Sequence, residues 1–185
     1  MNPRTKLVLM FILFSSPIAA SYIMFYFYKP DTSINYGELM KVAPLPDPPL
    51  LTADNKPAKL SDLRGKWVML TVDSGACTDA CANKLYVMRQ VRLVQGKHMD
   101  RVERVMLMDD AAELNPQSKI EYVDTHFIRA QKSELLNKLP AQTAQRDHIY
   151  LIDPLGNVVL RYPRNPDPRK MIKDFTRLLT VSKIG

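Results

Sequence analysis

Residues 67–95 read WVMLTVDSGACTDACANKLYVMRQVRLVQ, and two periodicities meet inside this stretch. Trp67 to Val72 is an apolar, partly β-branched run of the kind that forms a central strand with both faces covered. From Thr78 onward Cys81, Leu85, Met88, Val91 and Gln95 recur at helical spacing, with Lys84, Arg89 and Arg92 spread over the other faces and Gly96 ending the run. A strand therefore passes into a helix across a short loop. That junction holds Cys77 and Cys81, the chain's two cysteines.

Working outward, Leu60 to Arg64 predicts a helical turn and Gly65 a tight turn ahead of the strand. Downstream, RVERVMLMDD predicts a second strand near Val102 to Met108, and residues 115–138 read as mixed loop and helix. HIYLID and VVLRY, joined through Pro154, Leu155, Gly156 and Asn157, give a hairpin signal. Pro168 to Ser182 reads as a closing helix, with Met171, Ile172, Phe175, Leu178 and Leu179 at helical spacing and Pro168 in its first turn. Strand, helix, strand, helix, strand, hairpin strand and helix is the order of the thioredoxin fold, an α/β architecture with a central mixed sheet flanked by helices. This thioredoxin-like domain is expected over residues 60–185.

Ahead of it, residues 7–28 read LVLMFILFSSPIAASYIMFYFY and carry no charge. As a helix they extend about 33 Å, enough for a hydrocarbon core of about 30 Å. Arg4 and Lys6 precede the segment, so the positive-inside rule keeps residues 1–6 cytoplasmic and places the domain on the periplasmic side of the inner membrane. A cleaved signal peptide is the competing reading. The run is longer than a signal core, and Ile18 is bulky at the −3 position for cleavage after Ala20, so an uncleaved single-pass anchor is favoured. Residues 29–59, with six prolines, read as a stalk and a surface arm with little room for helix or central strand.

Net charge is +7, but three of the basic residues, Arg4, Lys6 and Lys29, flank the apolar segment. The remaining excess is small, and its densest part, Arg161 to Lys183, contains Asp167 and Asp174 and no aromatic interleaving. Nucleic-acid binding is not indicated. The ten methionines form no metal-binding box: Met69, Met88, Met106, Met108 and Met171 fall at core positions. Trp67 reads as core, and Asp109-Asp110 as a loop pair at the sheet edge near the cysteines.

With Cys77 opening the helix, Cys81 lies one turn on, so both sulfurs face the same side. That spacing permits a disulfide, a thiol–disulfide redox couple or a two-thiolate chelate. An inert staple is the least favoured use, because a loop with three intervening residues gains little from cross-linking. Unpaired N–H groups and the helix dipole lower the pKa of a thiol at the helix start, with Lys84 assisting and Asp79 opposing. Two soft donors select Cu(I), whereas Cu(II) calls for imidazole and structural zinc needs four ligands.

The pattern resembles the Sco/SenC family, membrane-anchored thioredoxin-fold factors whose signature is Cys-Pro-Asp-(Ile/Val)-Cys after a central strand. Here it reads C-T-D-A-C, so Cys77, Asp79 and Cys81 match, while Thr78 and Ala80 depart. LSDLRGKWVML and YLIDPLGNVV are similar to the family's approach to the first strand and its hairpin. The resemblance implies copper, bound by Cys77 and Cys81, and a partner in a respiratory oxidase subunit at the inner membrane, with a monomeric domain. It implies also a copper-binding histidine five residues before the hairpin tyrosine, a register that falls here on Gln145. Asp147-His148 lies closer to Tyr150, and His148 is the candidate third ligand or, equally, a structural histidine. His126 is a weaker candidate, and His98 reads as solvent-exposed. Two further functions remain open: a dedicated thiol–disulfide oxidoreductase using Cys77 and Cys81, and a membrane-tethered interaction domain without catalysis.

Overall fold

The computed structural model describes residues 2–27 and 35–184. Tyr28 of the expected span, and residues 29–34 of the expected stalk, lie outside the described residues. The chain divides into two units, residues 1–34 and 35–185.

The first unit is helix α1, Pro3–Phe27. It is long and apolar enough to cross a membrane by length and composition. Pro17 has no N–H to offer the carbonyl of Leu13, and the Ser16 hydroxyl donates to that carbonyl instead, at 3.0 Å. The helix tolerates its proline because a neighbouring side chain takes over the lost bond.

The second unit is thioredoxin-like, built on one eight-stranded mixed sheet. Its elements in chain order are β1 (Glu38–Pro44), β2 (Leu50–Thr52), β3 (Pro57–Ala58), β4 (Trp67–Asp73), α2 (Asp79–Val94), β5 (Val102–Met108), α3 (Pro116–Glu121), β6 (Thr125–Arg129), α4 (Glu134–Lys138), β7 (Ile149–Ile152), β8 (Asn157–Tyr162) and α5 (Pro168–Val181). Across the sheet the order is β1-β8-β7-β4-β5-β6-β2-β3. β4, β5 and β6 run parallel, and β7 is antiparallel to β4.

Every residue of β4 is buried, as its apolar run requires between two neighbours and two covered faces. Alternation sorts the faces. Met69, Ile149, Leu151 and Leu160 pack under α2 and α5 with Met88, Val91, Met171 and Phe175. Val68, Leu70, Val72, Tyr150 and Ile152 pack on the other side with Leu135 and Leu136 of α4. α5 starts as its sequence implies: Asp167 caps the Arg169 N–H at 2.9 Å, with Pro168 in the first turn.

Two regions differ from the sequence reading. Residues 115–138 contain a strand, β6, besides two short helices. Its polar Thr125, His126 and Arg129 hide the strand signal, and pairing with β5 supplies what side-chain pattern does not. The proline-rich arm contributes β1, β2 and β3, so that both edge strands of the sheet come from it. β1 is almost wholly exposed and is held by its ladder to β8. Just before β1, the Asp174 carboxylate of α5 accepts from the N–H groups of Tyr36, at 3.1 Å, and Gly37, at 2.9 Å. A Cβ at Gly37 would meet the Tyr162 ring at 2.9 Å, so glycine permits this approach.

Candidate functional site

β4 ends at Asp73, and the chain turns through Ser74, Gly75 and Ala76 to Cys77 before α2 begins. Cys77 has φ +41°, in the left-handed region that disfavours a residue with a Cβ. Three bonds hold it there. The Cys77 N–H donates to the Ser74 carbonyl at 3.1 Å, the Gly75 N–H to Asp110 Oδ1 at 3.1 Å, and the Asn115 N–H to the Gly75 carbonyl at 2.9 Å. Gly75 is required by contact: a Cβ there would lie 2.2 Å from the Ala112 carbonyl oxygen.

Cys77 and Cys81 are joined by a disulfide, with their Cα atoms 5.1 Å apart. Cys77 is 5% exposed and Cys81 is fully buried. They sit in an apolar nest with Leu85, Met106, Met108, Tyr122 and Phe127. Sγ of Cys81 lies 3.8 Å from Sδ of Met106. Thr78 is the N-cap of α2, and its side chain makes no capping bond, which leaves the first-turn N–H groups without that competitor for a Cys77 thiolate.

Around this nest runs a charged network. Lys84 Nζ pairs with Asp73 at 2.7 Å, donates to the Val72 carbonyl at 3.0 Å, and donates also to the Arg146 carbonyl. Burial holds the Lys84 ammonium below its usual pKa, and Asp73 opposes that shift. Arg146 grips Asp109 through two bonds of 2.8 and 2.6 Å and reaches Asp110 at 3.3 Å. The Asp110 carboxyl is held below the usual carboxylate range by the Ser74 side chain, with the Gly75 and Ala112 amides adding to the effect. Asp109-Asp110 thus lies beside the cysteines, as expected from its place on the sheet. Lys84, read from the sequence as lying off the apolar stripe and assisting the Cys77 thiol, is 5% exposed and turns inward to Asp73 beside the cysteine loop. The available signal was Asp73, an acid ending a buried strand.

The structure brings Cys77 and Cys81 together and does not bring the histidines to them. Among the described residues no three of His, Cys, Asp and Glu gather as a metal site. His148 is 4% exposed, and its Nδ1–H donates to the Tyr162 carbonyl at 2.9 Å, which leaves Nε2 buried without a partner. Extended backbone at residue 148, just before β7, turns its ring to the Tyr150 side of the sheet, whereas Cys81 packs on the α2 side. There it lines a cavity of about 150 Å³ with Glu38, Gln142 and Arg161. Gln145 has its side-chain amide donating to the carbonyls of Leu136 and Leu139, so it is occupied at the end of α4. His126 is exposed and faces Glu103 at 3.3 Å, and His98 lies against Arg101.

Residues 67–182 match the family described as transmembrane-like, thioredoxin-like, C-terminal domain. No curated protein matches the chain. Among solved structures, yeast Sco1 with copper bound is 16% identical, covers 77% of this chain and 96% of its own, and superposes with a TM-score of 0.63. ScoI of Bradyrhizobium japonicum with copper bound is 19% identical, covers 73% and 99%, and gives 0.54. BsSco, described as a member of the Sco family of cytochrome c oxidase assembly proteins with a disulfide switch, is 13% identical, covers 79% and 98%, and gives 0.56. These likenesses are in fold.

Proposed function

The chain belongs to the transmembrane-like, thioredoxin-like C-terminal domain family, and from that premise we propose that it is a membrane-anchored, Sco-like assembly factor that carries Cu(I) to a respiratory cytochrome c oxidase on Cys77 and Cys81. The observation that carries this reading is the cysteine pair: two adjacent sulfurs in an apolar nest at a strand-to-helix junction. The fold is shared with two Sco proteins solved with copper. α1 serves as the anchor, with Arg4 and Lys6 on the cytoplasmic side and the domain in the periplasm.

As a disulfide, the pair has no thiolate to offer a metal, so loading begins with reduction. A thiolate of a partner dithiol attacks Cys77 Sγ, the less buried sulfur. The Cys77–Cys81 bond breaks, a mixed disulfide forms, and Cys81 leaves as a thiolate. The partner's second thiol then displaces Cys77 and the partner departs as a disulfide, so that two electrons and two protons pass to the pair. Both thiols give up their protons on taking the copper, which makes loading weaker at low pH. His148 would have to leave its cavity and its bond to Tyr162 to join them, so copper is assigned here to the two thiolates.

The disulfide itself favours a second reading, a dedicated oxidoreductase whose reduced pair opens a disulfide between the copper-ligand cysteines of a partner and ends in the bonded state. One experiment separates them. Reduced full-length protein in detergent is titrated anaerobically with Cu(I) and Cu(II) against a chromophoric chelator, beside a Cys77→Ser/Cys81→Ser variant. Retention of Cu(I) by the wild type and not by the variant supports carriage. Retention by neither leaves the oxidoreductase reading.

A further inference from the structure

Met106 of β5 is fully buried beneath the cysteine pair. Strand alternation points it to the α2 side of the sheet, and Thr71 of β4 is its register partner. A methionine at a core strand position ordinarily needs no further account. What sets Met106 apart is its sulfur, 3.8 Å from Sγ of Cys81. Metal–sulfur bonds of about 2.3 Å that meet at trigonal angles place their sulfurs about 4 Å apart. The Cys81–Met106 separation therefore already matches one edge of a three-sulfur site.

We infer that Met106 is the third ligand of the Cu(I) site, completing a Cys77–Cys81–Met106 set in place of an imidazole. This rests on the copper-carrying reading above and names the donor that reading leaves open. Thiolate and thioether are soft donors that suit Cu(I), and neither favours Cu(II). The surroundings agree: Leu85, Met108, Tyr122 and Phe127 enclose the pair, so water and hard ligands are kept from the ion. Meanwhile the described histidines are engaged elsewhere, His148 with Tyr162 and His126 with Glu103. A neutral thioether also adds a bond without adding charge, and so binds the ion without a further proton to release.

The test uses reduced full-length protein in detergent, loaded anaerobically with Cu(I). Met106→Leu keeps the volume and removes the sulfur, a swap that cores tolerate. Its Cu(I) dissociation constant, by chelator competition, should rise at least about tenfold, an increment of about 1.4 kcal/mol. In selenomethionine-labelled protein, X-ray absorption at the selenium edge should show a copper neighbour that Met106→Leu abolishes. At the copper edge the wild type should show three sulfur neighbours and the variant two. Met88→Leu, at a buried methionine of α2 outside the nest around the cysteines, should leave all three readouts unchanged. An unchanged affinity in Met106→Leu, absence of a selenium–copper vector, or loss in Met88→Leu instead would overturn the assignment while Cu(I) retention by the wild type kept the carriage reading intact. Failure of the wild type to retain Cu(I) would instead remove the reading on which the assignment stands.

Discussion

The cysteine junction and the His148 cavity lie near the same end of the sheet, and they are finished differently. At the junction the polar groups are braced: Asp73 has Lys84, Arg146 has Asp109 and Asp110, and Asp110 has the Gly75 amide. On the His148 side, its Nε2 and the hydroxyl of the neighbouring Tyr150 are buried without partners, and burial pushes the Tyr150 pKa up to about 12. A braced polar shell fixes the position of what it surrounds, whereas an unpartnered ring nitrogen is a standing cost of burial. The sulfurs are held in place from outside. The imidazole is anchored through Nδ1 alone.

The contrast can be broken most severely at Lys84. Lys84→Met leaves the Asp73 carboxylate buried without its cation, and should cost about 3–5 kcal/mol in urea unfolding of the oxidised protein. Adding Asp73→Asn to that variant should restore much of the loss, because the uncompensated charge is then gone; no recovery would mean that Lys84 acts through packing alone.

Gly75→Ala comes next. The clash with the Ala112 carbonyl must push the loop outward, at about 1–3 kcal/mol. Reduction of the disulfide by a phosphine should become faster, as Cys77 loses its shelter. An unchanged rate would show that the loop does not control access.

Asp110 gives a smaller and pH-dependent effect. Its folded pKa lies below the unfolded value of about 3.9, so its contribution is present above that value and is lost as pH falls through the lowered one. Phosphine reduction of the wild type should accelerate as pH falls through that lowered value, below the usual carboxylate range. Asp110→Asn should be fast already at neutral pH and show a flatter profile.

The smallest effect sharpens the comparison from the other side. His148→Ala should change the Cu(I) dissociation constant by less than about threefold, under about 0.7 kcal/mol. A larger loss would place the imidazole at the copper and undo the separation of the two regions.

Legibility followed the kind of signal each part carries. β4 and α2 could be read from sequence because burial on both faces, or on one stripe, writes itself into side-chain pattern. β1 could not, since its residues face solvent and its backbone ladder to β8 leaves no mark on composition. β6 was masked by Thr125, His126 and Arg129. At the site, the cysteine spacing announced a pair with shared facing. Lys84 was legible as a neighbour of the Cys77 thiol and not as the buried partner of Asp73; that pairing and the closeness of Met106 to Cys81 arise from where β4 and β5 lie against α2, a register no local run of residues encodes.

The clasp between Asp174 and the amides of Tyr36 and Gly37 joins residues 137 and 138 positions apart. Ordering of this clasp must wait until α5 exists, although Tyr36 and Gly37 leave the ribosome near the start of the domain. Contacts of such sequence separation slow folding. The earliest part of the domain to be made is thus among the last to be fastened, and a chain truncated before α5 would carry an unclasped amino-terminal edge strand.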